Sequence, residues 1–459
     1  MLINFTVEHF RSFGAEQTLN MVATALGDHP GHCAPIPGTD KKALQIGVLY
    51  GANASGKSNL VKAIQFARQM VLGRTSLKAL ALNRFRFTAK PKPTSFEFRF
   101  LARGRVFVYG FTATQDAVLE EWLDAASDSG REHPVFVRKK QDIKPGDLRP
   151  FGTEGKIIRK AVRALNLFGV RDDQLVLNKL AEMPDQHRGE LFTAAAWWFA
   201  ACLDIVQADS PFAPLVDVLN ADKAFREFCA AFLQNVATGI DELSVKTERI
   251  AADKAPKALL DQLQSTADQN VAFRVSGPGV TIELDAADPT KIVRKNLFAR
   301  HQVGDSNYQM SFQEESDGTQ RCLDLLPALY HLTQGSRVFV VDEINRSLHP
   351  ILCRELLKVF LGACPGEPRQ MIVTTHETHL LDLDLLRRDE VWFVEKDHDR
   401  QQSRLSSLVD FKPRKDLQIE RGYLQGRFGG IPFVGDTKKL LDMIRSPAHG
   451  PRHEKKAPA

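Results

Sequence analysis

Gly51-Ala-Asn-Ala-Ser-Gly-Lys-Ser58 decides the fold, because it matches the phosphate-loop pattern GxxxxGK[ST] in full. An apolar segment, Gln45–Tyr50, precedes it, and apolar residues at helical spacing follow it. The pattern predicts a strand, a loop and a helix in that order, with loop N–H groups and the helix N-terminus facing a phosphate. A glycine- and serine-rich turn that matches by chance is the alternative, and the flanking segments disfavour it.

The loop and its helix supply the predicted nucleotide ligands. Lys57 is expected to reach the β- and γ-phosphates as a point charge, and the hydroxyl of Ser58 is expected to ligate Mg²⁺. The residues predicted to bind the nucleotide are Gly51, Asn53, Ser55, Gly56, Lys57, Ser58 and Asn59.

Two later strands are predicted to complete the site. The segment Arg337–Glu343 places four apolar residues before two carboxylates, as when a buried strand brings an acid beside a phosphate loop. Asp342 is therefore predicted to bind the metal, and Glu343 to orient and polarise the attacking water. His376 follows the strand-like segment Gln370–Thr375, at the edge where open α/β sheets bind ligands, and could sense the γ-phosphate. An acidic turn and a surface or core histidine are the respective alternatives.

Composition is that of a globular, cytoplasmic protein. At 459 residues the chain has room for about three domains. A net charge of +5 is too mild to identify a dedicated nucleic-acid-binding protein. Six cysteines without a CxxC pair predict neither a disulfide framework nor a zinc site, and so favour a reducing compartment. No signal peptide or membrane-spanning segment is predicted.

Periodicity divides the chain into four parts. Alternating residues predict an antiparallel sheet in the first part, including a hairpin over residues 96–111. Helical spacing dominates the second part, in runs such as 174–181, 189–206 and 222–237, and strand-like segments resume at 271–275 and 280–284. The predicted parts are 1–150 with the phosphate loop and antiparallel sheet, 151–270 as a helical insertion, 271–400 with the remaining site residues, and 401–459 as a C-terminal extension.

Several segments together resemble the ABC-type ATPase heads of the SMC and RecF kind, and most closely the prokaryotic AAA family ATP-binding proteins related to the OLD ATPases of abortive-infection and anti-phage systems. The resemblance covers most of the chain and is specific because the segments occur in the family's order. They are Phe10–Phe13, Gly51–Leu60, Glu314–Arg321, Val341–Pro350, Thr374–His376, Arg387–Phe393 and Gly422–Pro432.

The resemblance implies an α/β P-loop fold of the ABC-ATPase-head type that uses ATP and Mg²⁺. In such heads the signature serine and glycine, here Ser316 and Gly318, contact the nucleotide held by a second subunit, which implies a homodimer or higher homo-oligomer. Asn345–Ser347 occupies the place of the D-loop, where subunits touch. Ser316 and Asp317 could also simply cap the following helix, and both interpretations can hold together.

The sequence departs from the family pattern in two respects. The glutamine that links Mg²⁺ to the helical region is not assignable, and Gln115 and Gln174 are candidates without supporting context. Only about 80 residues follow His376, too few for the TOPRIM nuclease domain of OLD proteins. Asp382-Leu-Asp384 is accordingly interpreted as a helix start or turn. His376-Glu-Thr-His379 does not match the HExxH zinc pattern.

The resulting functional hypothesis is an anti-phage ATPase that controls a separately encoded effector, a nuclease or toxin. A RecF-like repair or recombination ATPase that binds DNA is the alternative; a transporter motor and a non-hydrolysing scaffold are less favoured. Basic segments could contact DNA, but a solvated basic face is favoured because no aromatic stacking pattern accompanies them. These segments are Lys156, Arg159, Lys160 and Arg163 on one helix face, Arg138–Lys140, and Lys455–Lys456.

Overall fold

The structure is a computed structural model of the chain. It describes residues 1–208, 215–251, 274–277, 279–285, 287–288, 290–330, 335–363, 365–412, 419–430 and 438.

The described residues form strands and helices that alternate along the chain. The strands are β1 Leu2–Glu8, β2 Gln17–Asn20, β3 Cys33–Pro35, β4 Lys42–Leu44, β5 Ile46–Tyr50, β6 Thr94–Ala102, β7 Arg105–Ala113, β8 Val118–Ala126, β9 Glu132–Lys139, β10 Asp142–Pro145, β11 Leu203–Val206, β12 Ile240–Ala251, β13 Arg274–Gly277, β14 Val280–Leu284, β15 Lys291–Val303, β16 Ser306–Ser311, β17 Val338–Val341, β18 Gln370–Thr375, β19 Val391–Asp397 and β20 Gln402–Ser407. The helices are α1 Lys57–Val71, α2 Leu80–Asn83, α3 Gly152–Phe168, α4 Val176–Ala181, α5 Asp185–Arg188, α6 Glu190–Trp197, α7 Leu215–Ala221, α8 Lys223–Asn235, α9 Asp317–Tyr330, α10 Pro350–Ala363 and α11 Ile419–Leu424.

A six-stranded sheet in the order β11-β17-β18-β5-β19-β20 carries the site. Its first five strands are parallel, and β20 pairs antiparallel with β19 at the edge. All residues of β5, β17 and β18 are buried, which explains their nearly continuous apolar sequences. These three strands confirm the sequence predictions, and their shared direction brings their carboxyl ends to one edge.

A seven-stranded antiparallel sheet, β10-β9-β8-β7-β6-β1-β2, occupies the first part of the chain. The predicted hairpin is confirmed as β6 and β7, joined by Arg103-Gly104, where both residues have positive φ. On the buried face Phe100 stacks on Trp198 with ring centroids 4.3 Å apart. This contact joins the sheet to the helical region that follows it.

The region 151–270 is helical only in part. Helices α3 to α8 lie in it, as predicted, but β11 joins the six-stranded sheet and β12 joins a third, antiparallel sheet. The helical assignment is therefore wrong at Leu203–Val206 and Ile240–Ala251. A short, mostly apolar segment such as Leu203-Asp-Ile-Val206 fits a helix or a strand equally well, and pairing with β17 decides for the strand. Residues 209–214 and 252–273 of this predicted insertion lie outside the described residues.

The third sheet has the order β12-β15-β14-β13, and β16 pairs with the other part of β15. The strand predicted over Val280–Leu284 is confirmed as β14. Of the strand predicted over 271–275, residues 271–273 lie outside the described part, and Arg274 and Val275 belong to β13. This sheet leads directly into α9, which contains the predicted signature residues.

The cysteines of the described chain are free and buried, and Cys364 lies outside that part. Burial raises the pKa of Cys322 and of Cys353 to about 12, so both thiols stay protonated at neutral pH. No helix among the described residues has the length and apolar character needed to cross a membrane.

Candidate nucleotide site at the carboxyl ends of four parallel strands

Four neighbouring parallel strands place polar groups at one edge of the sheet. The phosphate loop follows β5, Asp342 follows β17, and His376 follows β18. Gln207 follows β11, and the backbone N–H of Asp342 donates to the carbonyl of Val206 at 2.8 Å. Residues separated by up to 325 positions in the sequence, Gly51 to His376, therefore meet at the edge where such sheets bind ligands.

The phosphate loop requires glycine at two positions. Gly56 has φ +115°, and a Cβ there would lie 2.1 Å from the hydroxyl oxygen of Ser403. A Cβ on Gly51 would lie 2.4 Å from the carbonyl oxygen of Val394. Both contacts are closer than atoms can approach, so only glycine permits this curled backbone, with α1 beginning at Lys57.

Lys57 lies in the mouth of the loop. It is 6% exposed, and its Nζ donates to the carbonyl oxygens of Gly51 at 2.6 Å and Ala52 at 3.1 Å. Burial lowers the pKa of Lys57, and the nearby carboxylates of Glu343 and Asp342 act in the opposite direction. Among the described residues Lys57 forms no direct ion pair, and a buried ammonium in this position is electrostatically suited to bind an anion that enters the loop.

The predicted metal ligands are in direct contact. The hydroxyl of Ser58 donates to Oδ1 of Asp342 at 3.1 Å, and the hydroxyl of Thr374 donates to the same oxygen at 2.6 Å. Thr374 in turn accepts the backbone N–H of Glu343 at 2.8 Å. Glu343 has a positive φ of 49°, an uncommon backbone conformation that clusters at functional sites. Thr374 thus orients both carboxylate-bearing residues, although the sequence did not identify it as a site residue.

His376 lies next to the D-loop segment of the same chain. Its Nε2 is 3.0 Å from Nδ2 of Asn345, and the hydroxyl of Thr375 donates to Oδ1 of Asn345 at 3.0 Å. The histidine and Asn345–Ser347 therefore share a hydrogen-bonded contact. His376 is placed at the same edge as Lys57 and Asp342, where position in the sequence predicted it.

The predicted signature residues, Ser316 and Gly318, lie immediately before and within the first turn of α9. Ser316 Oγ accepts the backbone N–H of Thr319 at 3.2 Å, so the capping interpretation is confirmed. A Cβ on Gly318 would lie 2.8 Å from the carbonyl oxygen of Ser347, so the signature and the D-loop pack together within one chain. The Ser316 side chain remains exposed and could contact another molecule as well as cap the helix.

Gln207 is a site residue that sequence reasoning missed. It hydrogen-bonds through its side chain to Gln65 of α1, and its carbonyl accepts Nη1 of Arg321 at 2.9 Å. Arg321 Nη2 also donates to the carbonyl of Asp342 at 2.9 Å. Arg321 thereby connects the signature helix to two strand ends. The mostly apolar segment Leu203-Asp-Ile-Val206 directly before Gln207 was the available signal, and it was missed because residues 189–206 were interpreted as helix.

The two glutamines considered from the sequence lie elsewhere. Gln174 donates to Asn178 and Glu182, and Gln115 lines a surface cavity beside β7.

Three other sequence predictions do not concern nucleotide binding. The prediction that Arg138 contributes to a basic surface is wrong, because Arg138 is fully buried. The Asp382–Asp384 segment is a turn, as predicted. No group of potential metal ligands resembling a zinc site occurs in the described chain.

The side chains of Ser12, Asn59 and Ser403 form hydrogen bonds that fix the backbone of the phosphate loop. Ser403 Oγ lies 2.5 Å from the carbonyl oxygen of Ser55 and 2.8 Å from Ser12 Oγ. Asn59, predicted to contact the nucleotide, donates its side-chain amide to Ser12 at 2.9 Å. The residues of Phe10–Phe13, of the loop and of β20 are therefore joined by one hydrogen-bond network.

We expect Ser403→Ala to weaken ATP binding about fivefold while leaving kcat unchanged, because a buried hydrogen bond contributes about 1 kcal/mol. The loop would lose its contact at the Ser55 carbonyl, but no group that could touch the nucleotide would change. ATP titration and steady-state kinetics measure the two quantities. Ser406→Ala on the same strand is the matched control, and an unchanged dissociation constant for Ser403→Ala would contradict this role.

The residues present fit ATP and Mg²⁺. Ser55 Oγ is buried without a hydrogen-bond partner in the described structure, inside the curled loop that Gly51 and Gly56 permit. Lys57 and the loop N–H groups are suited to phosphate oxygens, and the oxygens of Ser58 and Asp342 are ligands that Mg²⁺ prefers.

A phosphate loop and an acidic strand end that meet at one edge of a parallel sheet are the features of a P-loop ATPase domain. The chain belongs to the family described as AAA domain, putative AbiEii toxin, Type IV TA system, whose model matches residues 46–187 and 207–382. No curated protein matches the chain significantly.

Solved structures with a similar arrangement are SMC head domains. One from Thermotoga maritima has 12% identity and a TM-score of 0.36, with 88% of this chain and 98% of that chain covered. An SMC head bound to the C-winged helix domain of ScpA has 13% identity and a TM-score of 0.39, with 88% of this chain and 97% of that chain covered. An SMC head with an extended coiled coil, bound to a ScpA domain from Pyrococcus furiosus, has 13% identity and a TM-score of 0.33, covering 97% and 99%.

Proposed function

We propose that the chain is a Mg²⁺-dependent ATP hydrolase with composite sites formed between two copies. The observation that carries the proposal is the shared network of Ser58, Asp342 and Thr374, which brings the phosphate loop and the acidic strand end into contact. Mg²⁺ would neutralise charge on the phosphates when bound there. Lys57 would hold the phosphates, and Glu343 would accept a proton from water that it orients.

The second copy is proposed to contribute Ser316 and Gly318. Both precede or begin a helix whose N-terminal N–H groups favour an anion, and the exposed Ser316 side chain is accessible to another molecule. The D-loop packs against Gly318 on one side and contacts His376 on the other. Through the D-loop segment, binding of a second copy would change the surroundings of His376.

Mixing two inactive variants tests the composite site. Lys57→Ala and Ser316→Arg should each abolish hydrolysis alone, yet their equal mixture should recover about a quarter of normal activity, since half of the dimers keep one intact site. The matched control is a mixture of Lys57→Ala with Glu343→Gln. The same copy supplies both residues to each site, so every site in this mixture lacks one of them. Phosphate release measures each mixture. A mixture of Lys57→Ala and Ser316→Arg that is as inactive as this control would refute the composite site.

We further propose that ATP-driven assembly controls a separately encoded effector, a nuclease or toxin, in defence against phage. The description of the matching family, which names a putative AbiEii toxin and a type IV toxin–antitoxin system, supports this biological setting. Recovering the tagged protein from its host with and without phage infection tests it. We expect one partner whose association depends on infection and is altered by Glu343→Gln. Absence of any infection-dependent partner would oppose the effector hypothesis.

A RecF-like repair ATPase that acts directly on DNA is the second candidate. It is favoured by α3, where the predicted basic face is confirmed as exposed to solvent. Tight ATP-dependent binding of DNA junctions by the protein alone would support this candidate over the effector-controlling ATPase. The residues of this face are Lys156, Arg159, Lys160 and Arg163.

A further inference from the structure

A second positively charged surface lies on the segment between α2 and β6. Its sequence, Arg84-Phe-Arg-Phe-Thr-Ala-Lys-Pro-Lys92, interleaves basic residues with aromatic residues and contains no acid. Four cations of this segment are exposed to solvent: Arg84, Arg86, Lys90 and Lys92. Within the described structure none of the four forms a salt bridge with a carboxylate.

The segment forms the wall of a groove. One cavity of about 360 Å³ is lined by Ala81, Arg84, Phe85, Arg86, Thr88 and Pro91. A neighbouring cavity of about 220 Å³ shares Ala81, Arg84 and Pro91 with it and extends past Lys92 to the turn after β7. The shared residues place the two cavities side by side, and we refer to them together as the groove. Asp116 is the acidic residue of the lining, at the β7 end.

An exposed aromatic ring stands beside this groove. Phe87 is 63% exposed, and its ring contacts Phe85 edge-on with centroids 5.8 Å apart. Phe85 is itself only 6% exposed and is part of the groove wall. The buried ring therefore supports the exposed one, which leaves much of Phe87 available to a ligand.

We propose that this groove, defined by residues 81–92 together with the β7 turn, binds single-stranded nucleic acid. The unpaired cations would contact successive phosphates, and Phe87 would stack on one unpaired base. Phe87 could not stack in this way on a base inside a duplex, because each base there is already stacked between its neighbours. The proposal is independent of the ATPase assignment, because none of these residues belongs to the nucleotide site.

Fluorescence anisotropy of the full-length protein with labelled oligo-dT and oligo-U tests the proposal. Phe87→Ala should weaken binding of both strands about 5- to 150-fold, the range for loss of one base–aromatic contact, and Phe87→Tyr should retain it. Phe168→Ala, at a phenylalanine on α3 that is even more exposed than Phe87, is the matched control and should bind normally. ATP hydrolysis by each variant verifies folding. Binding that Phe87→Ala leaves unchanged, or that equals the binding of duplex DNA, would overturn base stacking here.

The salt dependence distinguishes this groove from the basic face of α3. Arg86→Ala and Lys90→Ala should each reduce the slope of log affinity against log salt by about 0.7, the value for one phosphate contact on a single strand. Arg159→Ala and Lys160→Ala on α3 should leave the slope unchanged. The reverse pattern would place the strand on α3, and an absence of binding to either oligonucleotide would refute the proposal altogether. Preference for oligo-U or oligo-dT would identify RNA or DNA as the natural ligand.

Discussion

Glu343→Gln is expected to lower kcat for ATP hydrolysis about 10²- to 10⁴-fold, the usual contribution of a positioned general base. Glutamine has nearly the same shape but cannot accept a proton from water. The backbone N–H of Glu343 is held by Thr374 at 2.8 Å, and its backbone is held at positive φ, so the amide should occupy the place of the carboxylate. ATP binding should therefore survive, since neither Lys57 nor Ser58 is altered. Phosphate release and calorimetric ATP titration measure the two effects separately.

Lys57→Ala is the contrasting variant, because it removes the cation from the loop and should abolish both binding and hydrolysis. Glu355→Gln is the matched control for the charge change, since Glu355 is an exposed carboxylate paired with Lys358 on α10. It should hydrolyse ATP normally. Robust turnover by both Lys57→Ala and Glu343→Gln would disprove the site assignment, and loss of ATP binding in Glu343→Gln would show that Glu343 has a structural role.

Glu121→Ala is expected to lower the free energy of unfolding by about 3–5 kcal/mol, the cost of removing one partner from a buried charged network. Glu121 and Arg138 are both fully buried, with side-chain charges 3.8 Å apart. The carboxylate also accepts the hydroxyl of Tyr109 at 2.9 Å and the backbone N–H groups of Val176 at 2.7 Å and Leu177 at 3.1 Å. Its loss would leave these donors and the guanidinium buried without that acceptor.

Urea unfolding of the full chain, followed by circular dichroism, measures this loss. Glu120→Ala is the matched control, because Glu120 is the neighbouring carboxylate and forms an exposed pair with Lys139. Such exposed pairs contribute at most about 1 kcal/mol. Equal midpoints for the two variants would mean that the network between the antiparallel sheet and α4 does not stabilise the protein.

The nucleotide site was predictable in part because its pieces are contiguous. Each of its three predicted parts follows a short apolar strand: the phosphate loop, the acids after β17 and the histidine after β18. Such a pattern can be recognised within a window of about ten residues. Gln207 also follows a strand, but β11 contains Asp204 and continues a segment with helical spacing, so the local pattern was interpreted as helix. Only pairing of β11 with β17 reveals it.

Charge and exposure were less predictable. Arg138 is adjacent to two lysines in the sequence and was counted as basic surface, yet alternation along β9 turns it toward the interior, where it donates to backbone carbonyls of the helical region. The aromatic residues beside Arg84 and Arg86 were overlooked in the sequence as a stacking pattern. Their meaning depends on Phe85 being buried and Phe87 exposed, and packing against the rest of the chain decides that.

The sequence by itself determined the nucleotide-binding class, the succession of the principal strands along the chain and the residues that follow each strand. Each of these depends on bonds and spacing between near neighbours in the sequence. The tertiary structure alone decided which distant groups touch. Ser403 reaches the loop across 348 residues and Asp342 meets Ser58 across 284. Such contacts depend on how strands are ordered in a sheet and how side chains pack around it, and no local pattern encodes that arrangement.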